Sequence, residues 1–109
     1  MPSKKTAASK RANPPRASDY TKEFLKDWQR LSHSGRYDMH RLKEAMLVLV
    51  ANEGSFTAEW KDHALSGNWS GHRECHIGGD FLLVYSLDDA GKHGLVVFVR
   101  AGTHSELFS

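Results

Sequence analysis

The chain has 109 residues, 39% of them hydrophobic, with 15 Lys+Arg against 13 Asp+Glu and a single cysteine, Cys75. These values describe one small domain, exclude an intramolecular disulfide framework, and leave no apolar run near the ~20 residues of a membrane-crossing helix. Split at residue 16, the net charge of +2 separates into two unlike parts: Lys4, Lys5, Lys10, Arg11 and Arg16 with no acid, then a body of ten basic and thirteen acidic residues, net −3.

Residues 1–15 combine Ser, Ala and Lys with Pro14-Pro15. Too few apolar groups are present to offset the entropy of ordering, so this stretch is expected as a basic flexible tail and 16–109 as the folded domain. It has no apolar h-region, so no secretory signal is expected; with one unpaired cysteine, the expected location is cytoplasmic.

Helical periodicity begins at Thr21, a candidate N-cap. Phe24, Leu25, Trp28 and Leu31 fall on one stripe, and His33-Ser34-Gly35 ends it. Asp38 is placed to cap a second helix with the stripe Met39, Leu42, Ala45, Met46, Leu49 and Val50, stopped by Asn52-Glu53-Gly54. Residues 55–71 read as a structured loop pinned by Trp60, Leu65 and Trp69. Three strands follow, His72–Ile77, Phe81–Leu87 and Leu95–Arg100, the middle one apolar enough to be covered on both faces. A two-residue turn at Gly78-Gly79 predicts that Ile77 pairs with Asp80 and His76 with Phe81, and Ala101-Gly102-Thr103 reads as a turn before His104. The expected class is α+β, a helical hairpin on a small antiparallel sheet of about four strands.

Phosphate loops, G-x-G-x-x-G, C-x-x-C and H-E-x-x-H motifs are absent from the sequence. Ionisable residues instead concentrate in the second half: Lys61, Asp62, His63, His72, Arg73, His76, Asp80, Arg100 and His104. Such a set suits RNA cleavage by the ribose 2′-hydroxyl. That reaction needs a base for the hydroxyl proton, a cation for the developing phosphorane charge and an acid for the leaving 5′-oxygen. Histidine serves as acid or base near neutral pH, and arginine's planar fork matches phosphate oxygens. No two of His63, His76, Asp80 and His104 stand at the short zinc-finger or helical i, i+4 His spacing that makes a metal site specific, so no metal is expected, and no other cofactor is expected either.

Three blocks carry a resemblance. W-K-D-H-A-L-S-G-N-W-S-G-H-R-E-C-H-I spans 60–77, D-F-L-L-V-Y spans 80–85, and R-A-G-T-H-S-E-L-F spans 100–108. In that order they resemble the YafQ branch of the RelE/ParE toxin superfamily, over about residues 16–109. The resemblance implies a type II toxin-antitoxin toxin: a metal-independent, ribosome-dependent mRNA endoribonuclease neutralised by a cognate antitoxin. Its partners would be that antitoxin, the ribosome and mRNA, with operator DNA reached only through the antitoxin complex and no membrane. It implies catalytic roles for His63, His76, Asp80, Arg100 and His104, and substrate contacts from Phe81, Phe108, Lys61 and Arg73. In this assignment Asp80 or His76 takes the 2′-hydroxyl proton, His104 protonates the leaving group, Arg100 holds the phosphate, and Phe81 or Phe108 stacks on a base. Glu74 reads as a strand-face residue, and a first strand is implied near Arg16–Tyr20. Two features depart from the family pattern: Phe81 stands in place of a tryptophan, and the body is mildly acidic where a basic surface would meet ribosomal RNA. A local patch of Lys61, Arg73, Lys92 and Arg100, or the tail, would then supply the attraction. The alternatives are a ParE-like gyrase inhibitor without nuclease activity and a catalytically decayed antitoxin-binding module.

Overall fold

The computed structural model describes residues 14–53, 56–91 and 93–108. Residues 1–13 of the expected tail, Gly54 of the expected helix stop, and Lys92 lie outside the described residues. The elements in chain order are β1 (Ala17–Tyr20), α1 (Lys22–Ser34), α2 (Met39–Ala51), β2 (His63–Ala64), β3 (Arg73–Gly78), β4 (Phe81–Asp88), β5 (Leu95–Thr103) and α3 (His104–Phe108). Single 3-10 turns occupy Ala58–Trp60 and Gly67–Trp69 within the connection that the aromatic residues were expected to pin.

Both helix starts follow the sequence. Thr21 accepts the Phe24 N–H at 2.9 Å and Asp38 accepts the Arg41 N–H at 2.9 Å, each satisfying a donor that the first turn leaves open. Helix α1 ends at Gly35 in the left-handed region, φ 70°, and α2 ends at Asn52, φ 54°. In α2 the buried stripe is Leu42, Ala45 and Leu49, as the periodicity predicts. In α1 one position differs. Leu25 is 42% exposed, and Asp27, with Phe24 and Leu31, takes the buried stripe. A carboxylate can stand there because several N–H donors converge on it.

The sheet has five strands among the described residues, ordered β1, β5, β4, β3, β2. It is mixed rather than wholly antiparallel: β1 runs parallel to β5, with Ala17 opposite Leu95 and Tyr20 opposite Phe98. Helices α1 and α2 cover one face, packing Phe24, Leu31, Leu42, Ala45 and Leu49 on Cys75, Ile77, Phe81, Leu83, Tyr85 and Phe98. On the other face Leu107 of α3, with Leu65, Trp69, Val99 and Phe108, covers Leu82 and Val84. Strand β4 is therefore central and buried on both sides from Phe81 to Tyr85, as its composition indicates.

Two registers depart from the sequence reading. The β3–β4 turn is Gly79-Asp80, with Gly79 at φ 50°; Gly78 pairs with Phe81, and His76 pairs with Leu82, not Phe81. A bulge at Ile77 absorbs the extra residue. Beyond Arg100, Ala101-Gly102-Thr103 continues β5 instead of turning, pairing with Leu83, Leu82 and Phe81. This extension brings α3 to the turn between β3 and β4.

Cys75 is 0% exposed, and burial first, with Asp62 and Glu74 adding repulsion, raises its thiol well above the usual range. Iodoacetamide at pH 8 is therefore expected to leave Cys75 unmodified in the native protein and to modify it fully in urea; rapid native labelling would contradict this core. Leu83, also 0% exposed, is expected to cost about 2–5 kcal/mol on replacement by Ala, read from urea midpoints.

Candidate active site

Alternation along β3 turns Glu74 and His76 to one face and Cys75 and Ile77 to the other. The short β2–β3 ladder then sets His63 directly across from Glu74. His63 Nε2 lies 3.0 Å from Glu74 Oε2, and His76 Nε2 lies 3.7 Å from the same oxygen. Glu74 is 5% exposed, and its Oε1 is buried without a hydrogen-bond partner among the described residues. A half-satisfied buried carboxylate costs on the order of 1–3 kcal/mol.

The contacts of His63 fix where protons sit. Its Nδ1 is 3.0 Å from the Lys61 carbonyl oxygen, which only accepts, so Nδ1 carries hydrogen. Its Nε2 faces a carboxylate oxygen, and that contact also needs a proton between the two atoms. Either an imidazolium donates to Glu74 or the protonated acid donates to a neutral ring. The cluster thus joins an exposed imidazole to a buried carboxylate at hydrogen-bond distance, a pair between which a proton can pass.

Arg100 and His104 come from β5 and the start of α3. Val84 pairs with Glu74 on one side and with Arg100 on the other, so the backbones of Glu74 and Arg100 stand about 10 Å apart across three strands. The Arg100 guanidinium binds Asp27 of α1, Nε to Oδ2 at 2.7 Å and Nη2 to Oδ1 at 3.1 Å, leaving Nη1 outside the pair. The hydrogen bond it donates to Asp27 raises the Arg100 pKa above its ordinary value, so this cation is permanent. Glu74 plays no part in holding it. His104 is exposed; its backbone N–H donates to Asp80 Oδ1 at 3.1 Å, and its ring lies 4.9 Å from that of Phe108. Phe108 in turn meets Trp69 edge-on at 5.3 Å. Asp80 therefore anchors the helix that carries His104.

Three of the expected substrate contacts fall elsewhere. Phe81 is 5% exposed and packs in the helix-side core with its ring 5.0 Å from Tyr37; it offers no open face to a base. The cause is the bulge: pairing with Gly78 rather than His76 puts Phe81 on the opposite face from the histidines. Arg73, one residue from Glu74, likewise points to the helix side. Its Nε and Nη2 bind Asp62 Oδ2 at 3.1 and 2.8 Å, while Tyr85 OH donates to Asp62 Oδ1. Burial first, then that bond, raises the Tyr85 hydroxyl far above its usual range. Lys61, Asp62, Arg73 and Tyr85 line a cleft of about 940 Å³ that contains none of the five expected catalytic residues.

The chain from residue 16 to 109 matches the family model described as "Bacterial toxin of type II toxin-antitoxin system, YafQ". The chain belongs to this family. It is 38% identical over 90 residues to the mRNA interferase toxin YafQ of Escherichia coli, covering 83% of this chain and 92% of that protein. It is similar to the toxin in the crystal structure of the E. coli DinJ-YafQ toxin-antitoxin complex, with TM-score 0.75, 37% identity, and coverage of 87% of this chain and 99% of that one. A metal-bound toxin from Helicobacter pylori has TM-score 0.73 and 34% identity, over 85% of this chain and 99% of that one.

In this member of the YafQ family, His63, Glu74 and His76 offer ligand atoms within 4.8 Å of one another, a group able to hold a metal ion. Two imidazole nitrogens and a carboxylate oxygen fit zinc or copper. Sequence spacing did not suggest this group, because the ladder between β2 and β3 assembles it. Glu74 is the residue that sequence reasoning passed over, although its shared parity with His76 was a usable signal. Asp27 gave no such signal.

The geometry predicts that ¹⁵N-detected imidazole spectra at neutral pH show His63 protonated at Nδ1. Glu74→Gln should change the Nε2 signal while Nδ1 stays protonated. An unprotonated Nδ1 would contradict this arrangement.

Proposed function

We propose that the protein is a toxin that cleaves mRNA at the ribosome by 2′-hydroxyl attack and is held inactive by a cognate antitoxin. The observation that carries this reading is the buried Glu74 carboxylate, one oxygen between two imidazoles and the other unpartnered, on the sheet face that also bears Arg100. Family membership and the names of its relatives support the RNA-cleaving activity and the antitoxin partner. The ribosome and mRNA are the remaining partners, operator DNA is met through the antitoxin complex, and the place of action is the cytoplasm.

In the mechanism, His76 takes the 2′-hydroxyl proton, and the buried Glu74 carboxylate, beside both His76 and His63, stabilises the imidazolium that forms. Arg100 presents its remaining N–H groups to the scissile phosphate, where negative charge grows in the transition state. His104, held at the start of α3, protonates the leaving 5′-oxygen, and Phe108 provides the aromatic face for a base. Asp80 supports His104 instead of acting as the base. No step needs a metal, and a metal bound by His63, Glu74 and His76 would block the base.

The test is purified protein in a translating extract, with mRNA ends mapped by primer extension. Discrete, translation-dependent cuts are expected. Glu74→Gln and His104→Ala should each lower cleavage by about 10²-fold or more. Cutting should persist in EDTA and fall when zinc is added. Intact mRNA with folded wild-type toxin present would refute the nuclease reading, and loss of cutting in EDTA would refute the metal-free mechanism.

A further inference from the structure

Asp27 is 4% exposed on α1 and forms no part of the chemistry above. Four N–H groups converge on it: Arg100 Nε and Nη2, the Ala101 backbone N–H at 3.0 Å, and Arg30 Nη2 at 3.2 Å. The Ala101 bond satisfies an N–H on β5 beyond the last residue that β1 pairs, Phe98. Arg30 continues the chain of contacts outward, its Nη1 donating to Glu106 Oε2 at 2.7 Å. Glu106 closes a reciprocal cap on α3: Oε1 accepts the Thr103 N–H at 2.8 Å, and the Glu106 N–H donates to Thr103 Oγ1 at 3.3 Å. The next residue after that cap is His104. Gly102 allows the approach, since a Cβ there would stand 2.8 Å from Glu106 Oε1 and 3.3 Å from Arg30 Nη2, with φ at 157°.

We infer that Asp27, Arg30 and Glu106 are positioning residues forming a relay that fixes Arg100 and His104 relative to each other. This inference rests on the RNA-cleaving site proposed above. Arginine has a forked head, and Arg100 spends one edge on Asp27, which orients the other edge. The same carboxylate, through Arg30 and Glu106, fixes the start of α3, from which the acid projects. Phosphate holder and leaving-group acid are thereby braced by one helix that bears no catalytic residue.

Single-turnover cleavage of a defined mRNA on programmed ribosomes separates the maximal rate from the half-saturating protein concentration. Asp27→Asn and Arg30→Gln are expected to lower the maximal rate by about tenfold to a hundredfold, as small misplacements of catalytic groups do. The half-saturating concentration should stay within about twofold. In an Arg100→Ala background Asp27→Asn should change the rate by less than about twofold, and Glu106→Gln likewise in a His104→Ala background. Equal losses in both backgrounds would reduce the relay to a stability effect, and a faster Asp27→Asn protein would mean that Asp27 restrains Arg100; either result overturns the inference. Arg30, with its side chain 42% exposed, provides the variant whose folding is least at risk, checked by its thermal midpoint. Hydrogen exchange at the Arg100 Nε–H and the His104 backbone N–H reads the relay without RNA. Arg30→Gln should lower protection at both; unchanged protection overturns the relay even if the wild type cleaves. If the wild type leaves mRNA intact but Arg30→Gln alters both signals, the nuclease reading fails and the relay stands.

Discussion

Strand β4 is covered on both faces, and the arrangement of the molecule depends on which of its residues face which way. Phe81, Leu83 and Tyr85 join the helix-side core, while Leu82 and Val84 lie beneath α3. Neighbouring strands take their parity from β4 through the ladders. Cys75, opposite Leu83, must be apolar and buried, whereas Glu74, opposite Val84, shares the face on which the imidazoles gather. A slip of one residue would exchange these sets and bury His76 in the core. The bulge at Ile77 lets the strand end in a two-residue turn while keeping this parity.

Buried and half-buried acids make the second layer of the design. Asp27 is neutralised by Arg100 and Arg30, Asp62 by Arg73, and Glu74 lies 3.0 Å from His63. Leaving any of these carboxylates unpaired would cost several kcal/mol in order of magnitude, so each of them also fixes its partner. For this reason the body's net charge of −3 is a poor guide to the field that RNA would meet. Arg16 is likewise tied to Asp89 at 2.9 Å and Arg41 to Glu59 at 2.6 Å. Of the cations expected to form a basic patch, Arg73 and Arg100 are each held by a carboxylate along one edge of the fork, while Lys61 is exposed.

Much of the fold was legible because local chemistry specifies it. Thr21 and Asp38 cap helices through their own side chains, the α2 stripe repeats at the helical period, and an apolar run such as Phe81–Tyr85 has few homes except a central strand. The sheet's edges were less legible. β1 is exposed along its whole length and carries no hydrophobic alternation, and β2 is two residues long; both exist because a neighbouring strand offers them a ladder. Leu25 and Asp27 exchanged their expected places because periodicity registers apolarity and cannot register donors arriving from a distant strand.

The sequence by itself determined the helical hairpin, the order of the strands along the chain, and the residue types that acid-base chemistry on RNA would use. Those properties depend on neighbours within a few positions, where capping, periodicity and motif spacing operate. Only the tertiary structure decided that Glu74 meets His63, that Phe81 faces the core, that Arg73 is committed to Asp62, and that Asp27 holds Arg100. Each of these depends on strand register or on a contact between residues far apart in the chain, and a single bulge is enough to change the outcome.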